Sequence, residues 1–287
     1  MMTMKRLDAS WTGWLHENIK RGCNTEELLG ILLRNAFDIR SIRAAMGEHF
    51  PEHSPLALAA ENRRDAPVDM ETIANPGLTR IESGVQRYGS DKVQLYVLEK
   101  FLSRDECDEL VAIINQRLRP STVTLRSNDP SFRTSRTCDL TLFDHAAVAS
   151  LDDRIASTLG INASYSEEIQ AQRYDVGQQF KAHTDYFEPG TSEYFQFAGG
   201  RGNRTWTFMV YLNDVEGGGA TRFVALDHAF EPIKGRALAW NNLYADGTVN
   251  PDTLHAGLPV TAGHKIIITK WFRTRGKGPM PYDANAR

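Results

Sequence analysis

The chain has 287 residues, enough to bury a sizeable core as one large domain or as an ordinary domain with a smaller companion. A net charge of −3 and a pI near 6.3 argue against general nucleic-acid binding and against attraction to an anionic membrane surface, and no apolar stretch approaches a membrane span. The three cysteines, Cys23, Cys107 and Cys138, are odd in number, far apart and without a Cys-x-x-Cys pair. They suggest neither a disulfide framework nor a thiolate zinc site, and the expectation is free thiols in a cytoplasmic protein.

From the N-terminus, Trp11, Trp14, Leu15 and Ile19 fall on one helical face. Asn24 with Glu27 marks the start of a second helix through Leu28, Leu29, Leu32 and Leu33, and Asp38 is placed to cap a third that stops at Gly47. The pattern then loosens around Pro51, Pro55, Pro67 and Pro76, so the domain junction is expected between about 65 and 80. The division is a helical domain over 1–75 and a second domain over 76–287.

The second domain opens with the strand-like VQLYVLEKF, and Ser103 with Glu106 announces a helix through Leu110, Ile113 and Ile114. Another helix is expected from Asp144 to Leu159, stopped by Gly160. Thereafter the chain reads as short strands: EIQAQRY, TWTFMVYLND, GATRFVAL, AFEPI, RALAWNN, LPVTA and HKIIITKWF. Many short strands separated by Gly, Asp, Asn and Pro predict a mainly β domain with flanking helices, a sandwich or jelly roll.

The chemistry concentrates in Arg173-Tyr-Asp-Val-Gly-Gln-Gln-Phe-Lys-Ala-His183-Thr-Asp185, where an imidazole and a carboxylate two residues apart project to the same side of a strand. Alone the triplet says little, since such pairs are usually solvated. His255, in Leu254-His-Ala-Gly-Leu-Pro-Val, is the third candidate ligand. Two imidazoles and one carboxylate leave open positions on an octahedral ion, which suits non-haem Fe(II). Ten residues further on, Lys265 interrupts the apolar run Ile266, Ile267, Ile268, either as an edge-strand charge or as a cation aimed at an anionic ligand.

These segments, with Arg204-Thr-Trp-Thr-Phe-Met-Val-Tyr-Leu-Asn-Asp-Val-Glu-Gly-Gly-Gly-Ala-Thr221, resemble the Fe(II)/2-oxoglutarate-dependent dioxygenases with a prolyl 4-hydroxylase-like catalytic domain, over about residues 90 to 275. The resemblance implies a double-stranded β-helix, a jelly-roll variant. It implies that His183, Asp185 and His255 hold Fe(II), and that Lys265, Tyr174 and Thr221 bind 2-oxoglutarate. It also implies that Arg133, Ser135, Glu167, Arg204 and Trp271 face the prime substrate, that O2 is the second cosubstrate, and that ascorbate serves as reductant. Ile266 stands where the family often has an aromatic residue, a departure expected in the pocket wall.

The implied reaction is hydroxylation of an unactivated carbon, C4 of a prolyl ring in a protein or peptide, coupled to decarboxylation of 2-oxoglutarate to succinate and CO2. Hydroxylation of a free amino acid or other small metabolite is the alternative. A non-catalytic 2-oxoglutarate-sensing or protein-binding module, and a hydrolytic zinc enzyme, are the readings from other classes. The former has no need of a full ligand set; the latter leaves Lys265 unexplained. The segment between Asp185 and Arg204 is expected to act as a lid. For the helical domain the sequence leaves open a cover for the barrel, a homodimer contact and recognition of a protein substrate.

Overall fold

The computed structural model describes residues 6–35, 37–54, 57, 85–121, 129, 131–140 and 145–275; the expected junction between residues 65 and 80 lies outside them. Three helices come first, α1 (Ala9–Lys20), α2 (Thr25–Arg34) and α3 (Ile39–Met46). Each begins where a side-chain oxygen satisfies orphan backbone N–H groups. Asp8 accepts from Trp11, Asn24 from Glu26 and Glu27, and Asp38 from Ser41. After α3 the chain turns at Gly47, whose φ of +56° suits a residue without Cβ.

The following elements are β1 (Val85–Arg87), β2 (Leu95–Leu98), α4 (Arg104–Asn115), β3 (Arg119–Pro120), β4 (Arg136–Leu140) and α5 (Ala146–Leu159). Ser103 and Glu106 form the expected reciprocal capping box on α4. The cap of α5 is His145, whose Nδ1 accepts from the Ala147 N–H, and the helix stops before Gly160. Next come β5 (Ile169–Asp175), β6 (Phe180–His183), α6 (Ser192–Ala198), β7 (Arg204–Tyr211), β8 (Gly217–Gly218), β9 (Thr221–Phe223) and β10 (His228–Phe230). The described chain finishes with β11 (Ala237–Asn241), β12 (His255–Gly257), β13 (Val260–Ala262) and β14 (His264–Arg273).

By compactness the chain divides into one unit of Met1–Pro67 with Phe187–Asn203 and another of Val68–Tyr186 with Arg204–Arg287. The first unit closes around Leu15, Leu28, Leu29, Leu32, Phe37, Ile42 and Met46, with Trp11 and Trp14 packed against this core. Phe195 of α6 belongs to the same core. The stretch read from sequence as a lid is therefore helical in its middle, and it supplies the helical unit with a buried aromatic. This assignment differs from a simple division near residue 75, because one piece of the helical unit arrives from much later in the chain.

In the second unit an eight-stranded sheet has the order β1-β2-β11-β7-β14-β5-β4-β3, a four-stranded sheet the order β10-β9-β12-β6, and β13 pairs with β8. All these pairings are antiparallel. Period-two alternation separates the two faces of the large sheet. Trp206, Phe208 and Val210 of β7, with Ile266, Ile268 and Phe272 of β14, pack on Leu110, Ile114, Leu151 and Ile155 of the helices. Met209, Tyr211, Trp240 and Ile267 face the other way and meet Phe223 and Phe230 of the small sheet. β7 and β14 are covered on both faces, which is why their sequences run almost unbroken in apolar residues. Two lysines of β14, Lys265 and Lys270, interrupt the run and are buried all the same, and Lys270 is the one turned to the helices. It lies fully buried on the helix-covered face and pairs with Asp152 of α5.

This two-sheet arrangement is the mainly β, jelly-roll class anticipated from sequence. Ile266 corrects one expectation: it packs under the helices rather than on the pocket wall, since its side chain alternates with that of Lys265. Among the described residues no helix is long and apolar enough to cross a membrane.

Candidate metal and cosubstrate site

His183 ends β6, Asp185 follows two residues later, and His255 opens β12 directly opposite His183 in the antiparallel register. Their donor atoms all lie within 4.8 Å of one another, and among the described residues this is the group of His, Cys, Asp and Glu placed to share an ion. His183 Nδ1 is 2.8 Å from the Lys181 carbonyl and His255 Nδ1 is 2.9 Å from the Thr253 carbonyl. A carbonyl only accepts, so each Nδ1 carries the proton and each Nε2 presents a lone pair. This is the tautomer a metal ligand needs.

The rings are also wedged. Phe180 stacks on His183 at 3.5 Å between centroids, Phe223 stacks on His255 at 5.3 Å, and Trp240 meets His255 edge-on at 4.9 Å. Burial, and then the neighbouring His255, push the His183 pKa down to about 3 against the pull of Asp185, so the imidazole is neutral. For Asp185 burial favours the neutral acid. It is outweighed by His255, His183, Arg204 and the Thr207 hydroxyl, and the carboxyl is held below its usual range. Two imidazole nitrogens and a carboxylate form a donor set that fits Fe(II).

The same cavity extends to Tyr174, Thr221, Trp271 and Lys265. Lys265 is 1% exposed, lies 4.5 Å from the Tyr174 ring centre, and donates to the Gly219 carbonyl at 2.8 Å. Burial pushes its pKa down to about 7, the mark of a cation that lacks a close counter-charge. Gly257 leaves it clearance, since a Cβ there would sit 3.3 Å from Nζ, a tight contact. Thr221 accepts a hydrogen bond from the Tyr211 hydroxyl at 2.7 Å. Tyr174 turns its own hydroxyl the other way, to Gln172 Oε1 at 2.6 Å.

The remaining sequence-predicted residues form two groups. Arg133 donates to Ser135 at 3.2 Å and to Gln170 at 2.7 Å, with its guanidinium 5.0 Å from the Phe180 ring centre. Arg204 grips Glu167 with two bonds of 2.7 and 2.9 Å, stacks 3.9 Å above Trp271, and reaches the Asp185 carbonyl at 3.4 Å. Arg273 approaches the same Glu167 at 2.6 Å. The other histidines stand apart: His145 caps a helix, His16 bonds to the Ala45 carbonyl, and His228 packs on Tyr88.

Sequence reasoning passed over Thr207, Tyr211, Trp240 and Asn242. Their signal was available in part, because alternation along β7 and β11 places Thr207, Tyr211 and Trp240 on the cavity side. What no periodicity reveals is that the Thr207 hydroxyl reaches Asp185 at 2.7 Å.

Residues 169–273 match the family profile described as the 2OG-Fe(II) oxygenase superfamily. The chain is 31% identical over 191 residues to the human prolyl 4-hydroxylase subunit alpha-1, covering 65% of this chain and 36% of that protein. It thus spans about a third of the length of that relative. It is 29% identical over 246 residues to the probable prolyl 4-hydroxylase 3 of Arabidopsis thaliana, covering 75% and 84% of the two chains. Among solved structures, the viral collagen prolyl hydroxylase of Paramecium bursaria Chlorella virus-1, in complex with 2OG, superposes with a TM-score of 0.51 at 27% identity, over 62% of this chain and 95% of that one. With that fold, that donor set and a buried lysine beside it, the chain carries a 2-oxoglutarate–Fe(II) oxygenase domain of the prolyl 4-hydroxylase-like kind.

Proposed function

We propose that this protein is a 2-oxoglutarate-dependent dioxygenase that hydroxylates C4 of a prolyl ring in a protein or peptide, with Fe(II) held by His183, Asp185 and His255. The observation that carries the reading is the juxtaposition, in one cavity, of this triad with the buried Lys265. When bound, Fe(II) with 2-oxoglutarate and O2 supplies the oxidising power for C–H hydroxylation, 2-oxoglutarate leaving as succinate and CO2.

The chain's own residues do the positioning. Lys265 offers the counter-charge for the far carboxylate of 2-oxoglutarate, and Thr221 offers a directional hydroxyl. Tyr174 walls the ammonium with its ring and joins the cosubstrate side to Gln172. Phe180, Phe223 and Trp240 pack around the imidazoles, lowering the local dielectric and keeping bulk water from the reacting carbon.

For the prime substrate, the relatives named above are prolyl 4-hydroxylases and a collagen prolyl hydroxylase. The paired fork of Arg204 supports a peptide over a free amino acid. Its bidentate face is already filled by Glu167, which is the geometry a substrate's free carboxylate would require. In this reading Trp271, beneath Arg204, and Ser135, beside Arg133, touch the substrate. Three free cysteines, two of them buried, support a reducing, cytoplasmic setting, and ascorbate is proposed as the reductant.

The test is succinate formation by anaerobically iron-loaded protein on admitting O2 and 2-oxoglutarate, with proline-containing peptides or free proline. Stimulation by a peptide, lost in His183→Ala, is the expected outcome. Stimulation by free proline alone would replace the peptide reading with the metabolite one, and failure to hold iron would remove the central claim.

A further inference from the structure

Asp185 is joined to the interior of the large sheet by a chain of three hydrogen bonds whose direction is fixed by chemistry. The Trp240 indole N–H lies 3.0 Å from Asn242 Oδ1, Asn242 Nδ2 lies 2.8 Å from Thr207 Oγ1, and Thr207 Oγ1 lies 2.7 Å from Asp185 Oδ2. An indole N–H can only donate, so the atom of Asn242 facing it must be the carbonyl oxygen. That turns the NH2 group toward Thr207, whose oxygen must accept. The single hydroxyl proton of Thr207 is then left to donate to Asp185 Oδ2. Every link points the same way, and each donor is strengthened by the one behind it.

The chain is rigid as well as directional. Trp240, Asn242 and Thr207 are each no more than 1% exposed. Thr207 and Trp240 are direct partners across β7 and β11, and the Asn242 backbone N–H bonds to the Thr205 carbonyl. The other oxygen, Asp185 Oδ1, faces His183 Nε2 at 3.8 Å. Trp240 also meets His255 edge-on at 4.9 Å, so the residue that starts the chain touches one triad member and orients another.

We propose that Thr207, oriented by Asn242 and Trp240, is a positioning residue that reserves Asp185 Oδ2 as a hydrogen-bond acceptor and so presents Oδ1 alone to the metal. This deepens the proposed function and rests on its assignment of the triad as metal ligands. A carboxylate ligating through one oxygen leaves coordination room that two-oxygen ligation would occupy. Outer partners that fix a ligand's orientation are worth about 10–100-fold in metal affinity.

The test uses the full chain and Co(II) as a redox-stable probe, with affinity measured by chelator competition and the visible absorption of the bound ion recorded alongside. Thr207→Val is close in shape but cannot donate. It is expected to weaken Co(II) by about 10–100-fold and to alter the spectrum, while Thr207→Ser, which restores the hydroxyl, stays within about threefold of the unaltered protein. Asn242→Leu, leaving Thr207 free to rotate, should weaken Co(II) in the same direction, by about 3–10-fold. It carries the test if circular dichroism shows that Thr207→Val does not fold. Valine and serine variants that both bind as the unaltered protein does, with unchanged spectra, would overturn the inference while leaving the triad intact. An unaltered protein that takes up no Co(II) would overturn the triad assignment and this inference with it.

Discussion

Lys265 and Tyr174 are register partners across β14 and β5, and the lysine ammonium lies 4.5 Å from the centre of the tyrosine ring, with burial alone setting its proton affinity. A ring face and one carbonyl are weak compensation for a charge withdrawn from water. Its pKa of about 7, against an ordinary value of 10.5, is the consequence.

The pH dependence follows from that displacement. Between pH about 7 and 10.5 the unfolded chain carries a proton on Lys265 that the ligand-free folded chain does not, so this group makes the ligand-free protein more stable as pH rises through that window. Binding of 2-oxoglutarate has the opposite trend, because its far carboxylate needs the ammonium. Affinity should fall above pH 7 by up to about tenfold per pH unit, with proton uptake on binding. Calorimetry in buffers of different ionisation enthalpy measures both. In Lys265→Met the 2-oxoglutarate affinity should be weak and flat with pH; an unchanged profile would remove Lys265 from the cosubstrate site.

The triad should couple metal to stability. Iron or a surrogate held only by the folded state adds about 2.7 kcal/mol at a hundredfold excess over Kd. Thermal unfolding should therefore shift upward with Co(II) and return with chelator. His183→Ala and Asp185→Ala should lose both this shift and turnover.

Lys270 and Asp152 offer a test away from the chemistry. Both are at most 1% exposed, and Lys270 also donates to the Glu167 carbonyl at 3.0 Å. Removing one member leaves a buried charge without its partner, at a cost of about 3–5 kcal/mol, whereas replacing both by apolar residues is close to neutral. Urea unfolding of Lys270→Met, Asp152→Leu and the double variant should show this strong non-additivity. Equal and additive losses would mean that the pair is not coupled.

Arg204→Lys keeps the charge but loses both the two-bonded grip on Glu167 and the flat stack on Trp271. The expected effect is a rise in KM for a peptide substrate of about tenfold, with succinate formation in the absence of peptide retained. A KM unchanged alongside an equal fall in both activities would place Arg204 in support of Asp185, whose carbonyl it reaches, rather than in substrate binding.

Much of this arrangement is legible in the chain itself because its signals are local. The caps of α2, α3 and α4 are written in Asn24, Asp38 and the Ser103–Glu106 pair, and Lys265 announces itself by breaking a run of isoleucines. His183 and Asp185 are neighbours along one strand end, so their approach needs only the strand period. What stays hidden depends on how strands pair. The opposition of His255 and His183 is set by the β12–β6 register. Thr207 looks like an ordinary strand threonine until β7 is laid beside β11, when Asn242 falls behind it. Ile266 shows the reverse error: motif position suggested the pocket, and the pleat turned it to the helices. The helix Ser192–Ala198 was missed for a different reason. Seven residues are too few for a helical period to stand out against the surrounding aromatics and glycines.

The membership of Phe195 in the N-terminal core has a bearing on modularity. A bundle built only from the first 67 residues would be removable by one cut, as an appendage acquired whole. This one borrows an aromatic from a stretch that the chain reaches only after passing Asp185 and before entering β7. Deleting the leading helices would leave Phe195 and Tyr194 with an unfilled apolar side, and transplanting those helices alone would leave a hole where Phe195 belongs. The helical unit is thus made of two separate lengths of chain, and no single cut removes it with its core whole.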